Sequence, residues 1–162
     1  MLHEPQKRLE ALGLTLPRST KPAGNLLGYK IDDGRVYVSG QLPLQDGEVK
    51  YLGKAGRDFR REDVYEAAKL AALNVISQLS LATDGQLSRV CEIVKVSGFV
   101  NCTPDFVDVP FVINGASDLF VSVFGDRGRH ARLAIGVAAL PRGVPVEIDV
   151  VARLENRETL DV

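Results

Sequence analysis

The chain has no tryptophan, and its other aromatics are four Tyr and six Phe in 162 residues. Its core must therefore be built on aliphatic side chains. The aromatic-basic interleaving that stacks single-stranded bases is missing too. Cysteine is nearly absent: Cys91 and Cys102 would make a thin disulfide framework for a secreted protein. Two free, packed thiols in a reducing compartment are expected, and hence a cytoplasmic location. The histidines are His3 and His130 alone, and no Glu/His/Cys spacing suggests a metal site. His3 sits in a terminus expected to be mobile, which speaks against a Ser-His-Asp triad. The formal net charge of −1 leaves no electrostatic footprint for DNA or RNA. No apolar run approaches the ~20 residues of a membrane span. The N-terminal Met1-Leu2-His3-Glu4-Pro5 has no apolar signal core.

What is present reads as one domain over 1–162, with ordinary globular composition. A short helix is predicted over 6–13, ended by Gly13. A Pro-punctuated connector follows to Gly24. A hairpin is predicted from strands at 26–31 and 35–41 around the Asp32-Asp33-Gly34 turn. Gly40 would let a neighbouring group approach the backbone closely. Residues 43–56 read as loop, turning at Asp46-Gly47, with a further short strand near 49–52. The clearest helix spans 58–81, where Val64, Ala67, Ala68, Ala71, Val75, Ile76 and Leu79 recur at helical spacing. A strand covers 90–100, with Val94 and Val96 on one side and Ile93 and Lys95 on the other. Thr103-Pro104-Asp105 reads as a helix start, with Pro110 as an interruption and Phe124-Gly125 as the end. Strands at 131–138 and 145–154 finish the chain. The order β-β-α-β-α-β-β predicts an α+β or α/β fold with a mixed sheet and amphipathic helices over one face. The other face is of mixed polarity, which suits a subunit interface.

The candidate site lies in the last third. Period-two alternation groups Ala131, Leu133, Ile135 and Val137 on one face, and His130, Arg132, Ala134 and Gly136 on the other. In the final strand, Glu147, Asp149 and Val151 oppose the apolar Val146, Ile148, Val150 and Ala152. Arg132 and Glu147 are thus expected to point away from the apolar layer together, on strands whose linker is short enough for a hairpin. A guanidinium offers paired donors to a carboxylate. A glutamate can take a proton from water or give one to a leaving amine. Periodicity alone favours a structural salt bridge between the pair, within or between subunits. The basic residues around His130 read as a solvated loop tip, and His130 itself as structural or solvated. Gly53-Lys54-Ala55-Gly56 lacks the context of a phosphate loop.

Several segments together resemble the RidA family, also called YjgF or the L-PSP/translation-inhibitor family. They are Val36-Tyr37-Val38-Ser39-Gly40-Gln41-Leu42-Pro43, Ala67-Ala68 with Leu73-Asn74-Val75, and Val94-Lys95-Val96-Ser97-Gly98-Phe99-Val100. Asp105-Phe106, Ile113-Asn114, Ala131-Arg132, Leu140-Pro141 and Val146-Glu147-Ile148 follow in family order. The inserts at 112–118 and 125–132 resemble a longer branch of that family. The resemblance implies an α+β, chorismate mutase-like fold with two main helices on one face of a mixed sheet. It also implies a homotrimer with clefts between subunits. The activity it implies is hydrolysis of enamine or imine intermediates such as 2-aminoacrylate, with no metal or organic cofactor. On this resemblance Arg132 binds the substrate carboxylate and Glu147 handles water. Ser39, Asn114 and Ala134 occupy further cleft positions, Ala134 through backbone groups. The family's cleft tyrosine falls at Leu26. Two other functions stay open: a metabolite-binding module without turnover, and an endoribonuclease or translation inhibitor, which the charge disfavours. The expected partners are a small carboxylate metabolite and further copies of the chain, with no membrane and no nucleic acid.

Overall fold

The computed structural model describes residues 4–19, 22 and 24–155. His3 lies outside them. The element order is α1 (Glu4–Ala11), β1 (Tyr29–Asp32), β2 (Arg35–Gln41), β3 (Leu44–Gln45), β4 (Glu48–Val49), α2 (Arg61–Ala82), β5 (Val90–Asn101), α3 (Val109–Phe124), β6 (Ala131–Val137) and β7 (Val146–Leu154). The main sheet runs β1-β2-β7-β5-β6. Every neighbouring pair is antiparallel except β5 and β6, which are parallel and joined through α3. The sheet is mixed and the fold is α+β.

Aliphatic burial holds this together. On α2, Val64, Ala67, Ala68, Ala71, Val75, Ile76 and Leu79 are fully buried, facing the sheet and α3. Each fully buried Val, Ile or Leu is worth about 1.5–3 kcal/mol of transfer free energy. Alanines let α3 come close, and Gly115 closes the gap: a Cβ there would collide with the Tyr65 backbone carbonyl. Asp63 accepts the Arg60 backbone N–H at 3.1 Å, satisfying an amide just ahead of the helix. Both principal helices cover one face of the sheet. The other face exposes Tyr37, Leu133 and Ile135, each 40–45% accessible.

The structure departs from four sequence expectations. First, β6 and β7 are not a hairpin; β5 lies between them. Second, a register shift between Ile93 and Lys95 breaks the alternation of β5. Ile93 and Val96 are both fully buried, and Val94 is left exposed. Third, α3 starts at Val109 rather than near Thr103. Ahead of it the chain is held out of the helix: Cys102 bridges to Ala55, Thr103 donates its N–H to the Ala55 carbonyl at 3.0 Å, and Pro104-Asp105 form only a turn, closed by the Phe106 N–H on the Thr103 carbonyl at 3.1 Å. Pro110 then falls in the first helical turn, where its missing N–H costs nothing, and interrupts no helix. Fourth, the short strands form a hairpin at 44–49 around Asp46-Gly47, both at positive φ, rather than a strand near 49–52.

Candidate functional site

Ser39-Gly40-Gln41 sits where β2 slips register against β7, between the pairs Val38–Val150 and Gln41–Ile148. A bulge there re-aims the backbone. The Glu147 carboxyl fills the space over Gly40 so closely that a Cβ would overlap its Oε1. The expectation that Gly40 admits a close neighbour is met, and the neighbour is Glu147. Ser39 donates its hydroxyl to the Leu27 carbonyl at 2.6 Å and its N–H to the Gly28 carbonyl at 2.9 Å, tying down the segment ahead of β1. Together these residues border a cavity of about 400 Å³ whose wall also includes Leu26, Gln78 and Arg142. Burial pushes the Glu147 carboxyl above the usual carboxylate range, and nearby Asp149 pushes it the same way. No hydrogen bond reaches that carboxyl among the described residues.

Arg132 is elsewhere. Its register partner on β5 is Val96, which pairs in turn with Val150, and both valines are fully buried under the helices. Glu147 is in register with Phe99, three residues further along β5. An odd offset on a strand means opposite faces. Arg132 therefore rises on the helix-covered face at the β6 edge, and Glu147 stands on the open face. The expectation that the two point the same way is wrong. It took Leu133 and Ile135 for the core layer, whereas they lie on the open face and β6 buries little on either side. An intrachain salt bridge between Arg132 and Glu147 is excluded with it.

The Arg132 Nη1 donates to Asn114 Oδ1 at 2.7 Å and to Ser117 Oγ at 3.2 Å, both on α3. Its Nε and Nη2 have no partner among the described residues. Ala134, two residues along β6, is half-buried and in register with Gly98. Asn114 and Ala134 thus accompany Arg132, and Ser39 accompanies Glu147. His130 is half-buried, with Nε2 against Ser117 Oγ at 2.9 Å and Nδ1 against the Gly128 carbonyl at 2.6 Å. Of the two sequence readings of His130, structural or solvated, these bonds fit the structural one. Nothing in local composition reveals this, because Ser117 reaches it across the α3–β6 contact. Cys91 and Cys102 are unpaired and half-buried, and burial pushes the Cys102 thiol up. Among the described residues no group of three or more His, Cys, Asp or Glu is arranged to hold a metal ion. No described helix is long and apolar enough to cross a membrane.

A bulged Ser-Gly-Gln strand under a glutamate, and an Ala-Arg edge strand over α3, on a mixed sheet with two helices above it, define a class. Residues 6–153 match the family model "YjgF/chorismate_mutase-like, putative endoribonuclease", and the chain belongs to that family, the Rid family. Among its relatives, Protein TCP17 of Trypanosoma cruzi is 44% identical over 149 residues, covering 91% of this chain and 92% of that one. The crystal structure of Atu1372 from Agrobacterium tumefaciens, a protein of unknown function, superimposes with a TM-score of 0.87 at 41% identity, covering 93% of this chain and 92% of that one. A Shewanella oneidensis structure carrying an endoribonuclease label gives a TM-score of 0.91 at 35% identity, covering 94% of this chain and all of that one (100%).

Proposed function

We propose that the protein is a cofactor-free hydrolase of small carboxylate-bearing enamines or imines, of the 2-aminoacrylate type, working in clefts between copies of itself. One observation carries this: the site residues form two half-sites on opposite faces of one sheet, each with bonding capacity left over. Arg132 keeps two adjacent donors free, the pair a carboxylate takes side-on. Glu147 keeps an unpaired, half-buried carboxyl facing a cavity. Two copies, each giving one wall, complete the site. The partly apolar open face carrying Tyr37, Leu133 and Ile135 suits packing of copies against one another, in a homotrimer.

In such a cleft Arg132, held by Asn114, fixes the substrate carboxylate. The enamine takes a proton at its terminal carbon and becomes the iminium. Glu147 accepts a proton from water as the oxygen adds to the C=N carbon, forming a carbinolamine. It returns that proton to the nitrogen and then takes the hydroxyl proton as the C–N bond breaks, so that ammonia leaves and the keto acid remains. A carboxyl whose proton affinity is raised by burial suits this two-way transfer. Backbone groups around Ala134 and the Ser39 turn border the substrate. Two free thiols fit work in the cytoplasm.

A second function, binding without turnover, is favoured by Leu26, which lines the cavity where the RidA family's founding type carries a tyrosine. The ribonuclease label on the family model and on several structural neighbours finds no support in a net charge of −1. The deciding experiment generates 2-aminoacrylate in situ and follows keto acid release against spontaneous hydrolysis. Acceleration by the wild type that disappears in Arg132→Ala is expected. Saturable carboxylate binding with no acceleration would select the binding module.

A further inference from the structure

Arg132 carries more machinery than binding a carboxylate requires. The His130 Nδ1–H donates to the Gly128 carbonyl, which can only accept. In the neutral imidazole Nε2 is then the acceptor, and it takes the Ser117 hydroxyl proton. The Ser117 oxygen, its proton spent, accepts from Arg132 Nη1. Asn114 Oδ1 takes the other Nη1 hydrogen. The chain of bonds runs one way, from Arg132 through Ser117 and His130 to a backbone carbonyl, and each group has one role left to it. The Phe120 ring stands edge-on to the imidazole, with centroids 6.0 Å apart and planes at 89°, and holds it upright.

We propose that Ser117 and His130 are positioning residues for Arg132, forming a directional hydrogen-bond relay that locks the guanidinium with its Nε and Nη2 edge turned to the ligand. The proposal rests on the reading of Arg132 as a carboxylate anchor, but the locking is a property of the chain by itself. An exposed arginine otherwise samples many rotamers, and a ligand must freeze them on binding. A relay that has already frozen Nη1 leaves less to lose.

The relay also couples the ligand to a proton. Arg132 is the charged group bearing on the imidazole; Ser117, Phe120 and the Gly128 carbonyl complete its surroundings. Burial and the Arg132 charge lower the proton affinity of His130, while the bond to Gly128 opposes them. A carboxylate bound on Arg132 cancels part of that repulsion, so His130 should take up a proton more readily in the complex; its Nε2–H then donates to Ser117 Oγ, whose other lone pair still accepts from Arg132 Nη1. By linkage, carboxylate affinity should rise as pH falls through the His130 titration.

The test has two readouts on the intact protein. Arginine side-chain NMR on the ligand-free protein should show slow rotation of the Arg132 guanidinium, released in Ser117→Ala and His130→Phe and retained in Ser117→Thr, which keeps the hydroxyl. Pyruvate titration should then show Ser117→Ala and His130→Phe binding about fivefold weaker than wild type, the worth of one hydrogen bond. The wild-type affinity should step with pH where His130→Phe shows none. Free guanidinium rotation in the wild type, or variants that bind pyruvate with wild-type affinity and pH dependence, would overturn the proposal. Restricted rotation in a wild type that binds no pyruvate would instead sink the carboxylate-anchor reading while leaving the relay in place.

Discussion

Glu147 shows how one residue's environment sets both chemistry and stability. Its carboxyl is pushed up by burial and by Asp149, and nothing among the described residues repays its ionisation. In the unfolded chain the same carboxyl ionises at its ordinary value. Over the interval between the two values the folded protein therefore holds a proton that the unfolded chain has lost, so stability falls as pH rises through it. Glu147→Gln removes that loss. Thermal melts should show the variant and wild type close together in acid below the ordinary glutamate range, with the variant increasingly the more stable as pH rises above it. A gap that stays constant with pH would mean that the carboxyl is not desolvated. The same substitution should abolish turnover. A residue that costs stability and supports activity is what a working site leaves behind. Glu147 was legible in the sequence as a carboxylate, beside Asp149, opposite the apolar side of its strand, and Gly40 as a point of close approach. That the two meet was not, because it depends on a register slip in β2 with no composition signal of its own.

At the scale of elements, the α2–α3 contact carries the site. Gly115 lets α3 pack directly onto the Tyr65 carbonyl, and it follows Asn114, the residue that holds Arg132. Gly115→Ala has no flexible side chain to push aside; backbone must move. Overpacking of this kind costs about 1–3 kcal/mol, and denaturant unfolding should show a loss of that order. Wild-type stability in the variant would mean that the helices can separate freely. The helices themselves were plain from spacing, since α2 repeats its apolar positions from Val64 to Leu79, over about four turns. The strands were harder. On β6 the alternation was read correctly, but which side faced the core was not. Leu133 and Ile135 look like core residues and are surface residues on an edge strand, while Arg132 takes the face that a core residue would normally hold. Period two assigns residues to two sets and is silent about which set is inside when both contain apolar side chains. Nor could it show β5 lying between β6 and β7, since that depends on the parallel crossover through α3.

The whole molecule turns on that placement. Arg132 and Glu147 were singled out because both stand among apolar neighbours, and family likeness put them in one cleft. The chain holds them apart, on opposite faces of the same sheet. A site that needs both must draw them from different copies, through a head-to-tail contact that closes into a ring. The resulting claim is that each active cleft takes its Arg132 wall from one subunit and its Glu147 wall from the next. The most direct measurement mixes two inactive proteins, Arg132→Ala and Glu147→Ala, differently tagged, under conditions where subunits exchange. Mixed assemblies carrying both tags are then purified and assayed for 2-aminoacrylate hydrolysis. In a trimer carrying both tags, about one cleft in three pairs an intact Arg132 with an intact Glu147. Activity should return to about that fraction of wild type, where neither parent shows any. Mixed assemblies that stay as inactive as their parents, while the wild type turns over, would contradict it.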